Sequence, residues 1–390
     1  MVAFTSFILN FTNLTSQILS LEPFPFSPGF DIQTVASLAQ SLPSHSWEYG
    51  TASEALLELY DPGLSVFGPT PFPVPTVPKE NVMALTYAAS KIVLGGGKNG
   101  LSNSNGAVGD PASLGVSAVL LGKTESQYTE AARQTVDFII NFAPRFWNGA
   151  ISHRVSTAEL WADFMYMAPP FLAYYAADIS NETLLQETLK QCGYYRQVLQ
   201  SNTTMPYQGA WEHIIGPKSQ DTGIWATGNA WAAAGMTRVL ATVMKAPVAQ
   251  NVTWRSEAIH DLTQWIMEIL EGAVASSLDG GLVRNYLDDD DPSGHGFGEI
   301  SGSSMLASVV YRMAVLQPEA CGQQYISWAD GLRGVLGGKD GTGLLHVTQE
   351  GVATPAVNPL AWRDTKPLTT GSPEVCSEYK KESQDALASA

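Results

Sequence analysis

The chain has 390 residues, 45% of them hydrophobic, 10% aromatic and 15% charged, which is ample apolar surface for a core and too little charge for a disordered chain. Its 21 Lys and Arg stand against 37 Asp and Glu, a formal net charge of -16. That balance excludes a nucleic-acid binder, which needs a basic face to meet phosphates, and no apolar run is long enough to span a bilayer.

Three cysteines, Cys192, Cys321 and Cys376, lie far apart with no CxxC pair, so neither a zinc knuckle nor a disulfide scaffold is expected. A single bridge between Cys321 and Cys376 stays open. Five Asn-x-Ser/Thr acceptors occur, at Asn10, Asn13, Asn181, Asn202 and Asn251, where about two or three would arise by chance. Together with the acidic balance they lead us to expect a secreted glycoprotein. The N-terminal Met1–Leu9 is apolar but has no basic start and no clear cleavage site, and reads as a mature start with an added Met.

Residues 1–30 show no clean period and read as an N-terminal extension; 31–390 read as one domain. Apolar periodicity predicts helices at about 31–42, 52–60, 79–94, 111–122, 126–143, 157–177, 181–200, 222–245, 253–275, 299–316 and 318–335. Within the third, Val82, Leu85, Ala89, Ile92 and Val93 recur at three- and four-residue steps, marking one buried side. Between the second and third, Pro69–Pro78 holds five prolines in ten residues, an extended connector because proline lacks the backbone donor that a helix requires. Ala226–Val243 is apolar nearly all round, as expected of a helix lining the inside of a layered assembly.

Three segments repeat one grammar: a β-prone stretch with a His or Arg, a polar or Gly-rich loop, then a small-residue helix. They are Ile151–Val155 leading to Glu159–Asp163, Ala210–Ile215 leading to Gly223–Asn229, and Gly281–Tyr286 leading to Glu299–Ser304. Trp161 and Trp225 are 64 residues apart, and Trp225 and Ile300 are 75 apart, the length of one helical hairpin with its loops. Five to six such hairpins fill the chain. The expected fold is therefore all-α, an (α/α)6 toroid with short β-prone loop strands at the active-site end. The inner-helix N-termini then converge on a funnel, the natural ligand site, with His153, His213, His295 and His346 on that side and His45 and His260 away from it.

Asp163 falls just inside a helix start among large apolar residues. Burial raises a carboxyl pKa and a helix N-terminus lowers it, so this Asp suits proton exchange near neutral or mildly acid pH; a first-turn Asp serving the helix dipole has the same spacing. Asp110, followed by Pro111, reads first as an N-cap. Trp225, Asn229 and Trp231 read either as packing and a satisfied helix end, or as aromatic platforms and an amide donor for a sugar. Asp288–Asp291 lacks the spaced ligands of a calcium loop. Gly95–Lys98 lacks the nucleotide-loop spacing, and no Gly-x-Ser-x-Gly elbow is present. Neither a metal nor a cofactor is expected.

In Gly109–Gly115, Glu159–Phe171, Asp221–Trp231 and Glu299–Met305 the chain resembles the six-hairpin glycosidases, the unsaturated uronyl hydrolases of glycoside hydrolase families 88 and 105, fungal family 105-like proteins most of all. The resemblance spans roughly residues 80–350. It implies removal of the terminal unsaturated uronic acid from oligosaccharides made by pectin or rhamnogalacturonan lyases, with Asp163 as general acid/base protonating C4 while water adds at C5. The resulting hemiketal opens and releases the neighbouring sugar. This is hydration, so the carboxylate-spacing rule of ordinary glycosidases does not apply. The resemblance also makes Asp110 the second carboxylate, which orients the sugar's hydroxyls. His213 becomes a His near the sugar, and Trp231 a stacking residue beside Trp161 and Trp225. One position departs: where the family commonly has Trp-x-Arg-Gly-Asn-x-Trp, this chain carries Thr227, which offers a hydrogen bond but no charge. Lys218, Arg284 or His153 are then the candidates to meet the substrate carboxylate, with Asn229 as an amide donor. The expected partner is an oligosaccharide and the expected state a monomer; a different glycosidase, a polysaccharide lyase or a non-catalytic sugar-binding toroid are the alternatives.

Overall fold

A computed structural model describes residues 27–95, 100–291 and 294–368. Twelve α-helices occur among the described residues: α1 (Ile32–Ser41), α2 (Ser46–Tyr60), α3 (Met83–Lys91), α4 (Gly115–Gly122), α5 (Ser126–Asp137), α6 (Phe164–Met167), α7 (Pro169–Asp178), α8 (Glu182–Leu199), α9 (Ala226–Lys245), α10 (Arg255–Ala275), α11 (Ile300–Leu316) and α12 (Gln323–Leu336). None is long and apolar enough to cross a membrane. The predicted helices are found, with shifted ends. The 111–122 segment opens as a 3-10 turn at Asp110–Leu114. The 157–177 segment splits, because Leu160–Trp161 is held as a strand and Pro169 restarts the helix at α7. The α2 helix starts six residues earlier than its periodicity suggests, at a capping box in which Glu48 reaches back to the His45 backbone.

Two concentric layers follow from burial. Helices α4, α7 and α9 are buried on every side, whereas α5, α8, α10 and α12 bury one face and leave the other to solvent. Helix pairs α2–α3, α4–α5, α7–α8, α9–α10 and α11–α12 pack as inner and outer partners, the arrangement of the (α/α)6 toroid. Small residues allow the inner helices to approach: a Cβ at Gly235 of α9 would lie 1.9 Å from the Met165 carbonyl oxygen. Closure has two parts. Glu58 of α2 accepts from Arg238 of α9 at 2.6 Å and from Arg312 of α11 at 3.0 Å. Val35 of α1 shares an apolar cluster with Ile300, Leu336 and Val347, joining the two ends of the described chain. The proline-rich connector is extended and anchored by buried Phe72 and Val74.

The β-prone stretches of the second and third repeats bond to the helix-opening segment of the repeat before, and Arg154 of the first bridges Ala107. Strand β1 (Leu160–Trp161) pairs antiparallel with β2 (Ile214–Ile215), Ile214 bridges Asp221, and Trp225 bridges Tyr286. Another hairpin joins β3 (Leu278–Asp279) to β4 (Leu282–Val283). This small ladder, at the N-terminal ends of α6, α9 and α11, fixes the loops that build the funnel. Cys192 and Cys321 are buried and free; Cys376, Asn10, Asn13 and most of the 1–30 extension lie outside the described residues.

Candidate active site

A cavity of about 190 Å³ opens at the ladder end of the toroid, with Asp110, Asp163, His153, Arg154, Trp161 and Trp225 among its lining residues. His45, Trp47, Asn105 and Met167 complete the walls, and Pro359, Leu360 and Trp362 arrive from a C-terminal loop that closes one side. The two carboxylates expected from the sequence thus share one cavity with two of the expected tryptophans and one expected histidine.

Local structure explains the meeting. The β1–β2 register sets Trp161 opposite Ile214, and Ala162 N donates to the His213 carbonyl at 2.9 Å, so Asp163 and His213 are neighbours. His213 Nε2 lies 3.3 Å from Asp163 Oδ2. Glu159, fully buried, accepts from the Lys218 and Ser219 amides at 2.6 and 2.8 Å and from the Trp161 indole at 3.3 Å, locking the Trp161 platform to the next loop. Asp110, at the start of its 3-10 turn, places Oδ1 3.6 Å from His153 Nε2. The His153 ring stacks on Trp161 with centroids 4.9 Å apart.

The electrostatics separate the two carboxylates. Burial, reinforced by the Asp163 charge, pushes Asp110 up to about 7. Burial also acts to raise Asp163, but His213 outweighs it and leaves Asp163 below its ordinary value. His213 is raised: burial opposes its charge, and Asp163 and Asp221 together prevail. Burial holds His153 down to about 4, so it is neutral at working pH. Asp110, rather than Asp163, is therefore the carboxyl pushed towards neutrality. The reason is His213, whose proximity follows from strand register and not from the sequence around Asp163.

Several expected binding residues stand elsewhere. His213 is 1% exposed and sits behind Asp163, not on the cavity wall. Asn229 is buried on α9, accepting from Trp211 N at 2.7 Å and donating to the Trp211 and Trp225 carbonyls, each at 2.9 Å; its amide is used by the fold. Trp231 packs in the core on Tyr166, centroids 4.6 Å apart. Thr227 is buried with its hydroxyl 3.4 Å from Glu299. Arg284 donates to Ser277 and the Gly296 carbonyl, away from the cavity, and Lys218 does not line it. His346 binds the Thr354 carbonyl at 2.9 Å, and His45, expected away from the funnel, lines it.

The cation on the wall is Arg154. Its Nη2 donates to the Asn105 carbonyl at 3.1 Å and its guanidinium lies 5.9 Å from the Trp161 ring; among the described residues it forms no ion pair. Gly106, at φ +83°, makes room, since a Cβ there would stand 3.1 Å from Arg154 Nη2. Arg154 lies in the Ile151–Val155 stretch that the repeat singles out, next to His153. The loop that delivers Trp362 has no comparable sequence signal.

A helical toroid with two carboxylates, tryptophan indoles and a cation in an end-on cavity is the layout of a carbohydrate-processing enzyme. The sequence profile of Glycosyl Hydrolase Family 88 matches residues 114–358, and the chain belongs to that family. It is 29% identical over 209 residues to the unsaturated rhamnogalacturonyl hydrolase YesR of Bacillus subtilis; the match takes in 51% of this chain and 56% of that protein, so the chain spans little more than half the curated relative's length. Two solved structures share the fold. A possible member of family 105 from Salmonella enterica serovar Paratyphi A superposes with TM-score 0.65 at 14% identity, over 96% of both chains. A family 105 glycoside hydrolase from C. acetobutylicum gives 0.63 at 16% identity, over 92% of this chain and 98% of that one.

Proposed function

We propose that this glycoside hydrolase removes terminal unsaturated uronic acid residues from pectin- or rhamnogalacturonan-derived oligosaccharides. The observation that carries the reading is one cavity lined by two carboxylates of divergent proton affinity and by an arginine that forms no ion pair among the described residues. In the fraction of molecules that carry its proton, Asp163 protonates C4 of the enol ether; the positive charge that develops at C5 is shared with the ring oxygen, water adds at C5, and its proton returns to Asp163. Asp110, protonated up to about pH 7, donates to a sugar hydroxyl and keeps a second negative charge out of the cavity. Arg154 meets the C6 carboxylate, a charge-assisted contact of about 1.5–3 kcal/mol. The C-terminal loop walls one side of the cavity with Pro359, Leu360 and Trp362, which suits attack on a chain end.

Incubation with lyase-generated oligosaccharides, following the ultraviolet absorbance of the conjugated double bond, tests the proposal. Absorbance should fall with the native chain and stay constant with Asp163→Asn. Persistence across several linkages sinks the reading, and a rise identifies a lyase.

Secretion as a monomeric glycoprotein belongs to the same proposal. Asn181, Asn202 and Asn251 are exposed, which supports modification there. Expression in a secreting eukaryotic host should give a glycosidase-sensitive mass shift that Asn→Gln changes remove, and light scattering should return the mass of one chain.

A further inference from the structure

Behind the cavity wall runs a line of groups that substrate cannot reach. The two ring nitrogens of His213 face different carboxylates: Nε2 is 3.3 Å from Asp163 Oδ2 and Nδ1 is 3.2 Å from Asp221 Oδ2. Asp221 is held by more than His213. Its Oδ2 accepts from the Tyr286 hydroxyl at 2.6 Å and the Trp362 indole at 2.8 Å, its Oδ1 accepts from Gly223 N at 3.2 Å, and Arg363 Nε stands 3.5 Å away. A carboxylate surrounded by donors stays ionised, and an ionised Asp221 requires a proton on Nδ1. Among the described residues Asp163 Oδ2 is buried without a hydrogen-bond partner, and so is His213 Nε2. The two stand 3.3 Å apart and can serve each other.

We propose that Asp221 is a positioning residue, which fixes His213 as a double donor so that His213 draws charge from Asp163 and strengthens its acidity towards the substrate carbon. The inference rests on the hydration reading above. In the chemical step, which starts from the protonated form of Asp163, the O–H bond on its cavity-facing oxygen breaks as C4–H forms from the electron pair of C4=C5. The carboxylate that appears is stabilised at Oδ2 by Nε2–H. His213 keeps both protons throughout, and the water that adds at C5 returns one proton to Asp163. The raised proton affinity of His213 and the lowered one of Asp163 agree with this arrangement. Around the axis the titratable groups among the described residues are Asp163, Asp221, His153, Tyr286 and Arg363, with Asp110 acting on Asp163 and Asp288 on Asp221. Burial holds His153 neutral and Tyr286 protonated; the cations are Arg363, more than half exposed, and Arg154, which bears on His153 and Asp110. The axis is completed by Trp362, which also lines the cavity, so the closing loop and the acid are mechanically joined.

Two measurements test the axis, one of them without substrate. Histidine ¹⁵N chemical shifts should show both nitrogens of His213 protonated at neutral pH in the native chain. Asp221→Asn should lower the His213 titration by about one unit or more, the effect of removing an adjacent opposite charge. Because Asp163 then loses its stabilising cation, the alkaline limb of kcat/KM should move up while the maximal rate falls at least tenfold. Tyr286→Phe takes a donor from Asp221, makes it the stronger acceptor, and should move His213 up and the limb down. A merely structural role for Asp221 would lower rates without moving either limb. A neutral His213 in the native chain, or limbs unmoved in both variants, overturns the proposal. If no unsaturated uronide is turned over while His213 is doubly protonated and titrates as described, the substrate assignment fails and the axis stands.

Discussion

Asn229→Ala separates a structural amide from a sugar-binding one. The side chain is fully buried and makes three hydrogen bonds, to Trp211 N at 2.7 Å and to the Trp211 and Trp225 carbonyls at 2.9 Å. Removing it strands one buried donor and part of the capacity of two acceptors, each costing about 1–3 kcal/mol, so the total is about 3–5 kcal/mol. For 390 residues the unfolding entropy near 60 °C is about 0.8 kcal/mol/K, and the loss corresponds to a fall in Tm of about 5 °C. Scanning calorimetry with a urea titration measures it. The expected result is a lower midpoint with KM changed less than threefold in the molecules that remain folded. A Tm drop below about 1 °C together with a large rise in KM would refute the reasoning and return Asn229 to the sugar.

Arg154→Gln should raise KM for unsaturated uronides about 10- to 100-fold, the equivalent of a lost charge-assisted hydrogen bond, with Arg154→Lys intermediate in initial-rate assays. Thr227→Val should leave kcat and KM within about twofold in the same assay, because its hydroxyl faces Glu299 rather than the cavity. Asp110 has a folded value of about 7 against 3.8 for the free side chain. The folded state therefore binds the extra proton between those values, and the group's contribution to stability declines as pH rises through that window. Asp110→Asn should accordingly raise Tm at pH 8, show no gain near pH 4, and lower turnover at every pH; a gain independent of pH would contradict the assignment.

The toroid was legible because its repeat unit is chemical as well as periodic. Each β-prone stretch must pair with something, and the 151–155, 210–215 and 281–286 segments are tied into the bridges and ladders at the funnel end. Asp163, Trp161 and Trp225 followed from their positions beside those stretches, whereas Asp110 read as an N-cap and entered only through the family resemblance. Helix α9 resisted reading for the opposite reason. Being buried on all sides, it has no polar face to show which side meets the cavity, so Thr227, Asn229 and Trp231 were indistinguishable from ligand contacts. Proton affinities were equally hidden: the state of Asp163 depends on His213, 50 residues on in the chain, and that of His213 on Tyr286 and Trp362 through Asp221. His45 was misplaced because its own helix α2 carries no repeat signature, although its N-cap position points it to the funnel end.

A net charge of -16 and the anionic substrate proposed above are reconciled by distance. Beyond about 8 Å at physiological ionic strength the repulsion is largely screened, so recognition falls to contacts inside the cavity, where low dielectric strengthens each of them. Position 227 could not serve there: it packs against buried Glu299, whose Oε1 accepts from Val357 N at 3.3 Å and from the Ser301 hydroxyl at 2.8 Å. That carboxylate anchors the loop running on to Trp362, which bonds to Asp221. A cation at 227 would pair with Glu299 and compete with those bonds. In this chain the region around 227 therefore steadies the loop and, through it, the His213 axis, while the proposed function gives the uronate charge to Arg154 on the preceding repeat.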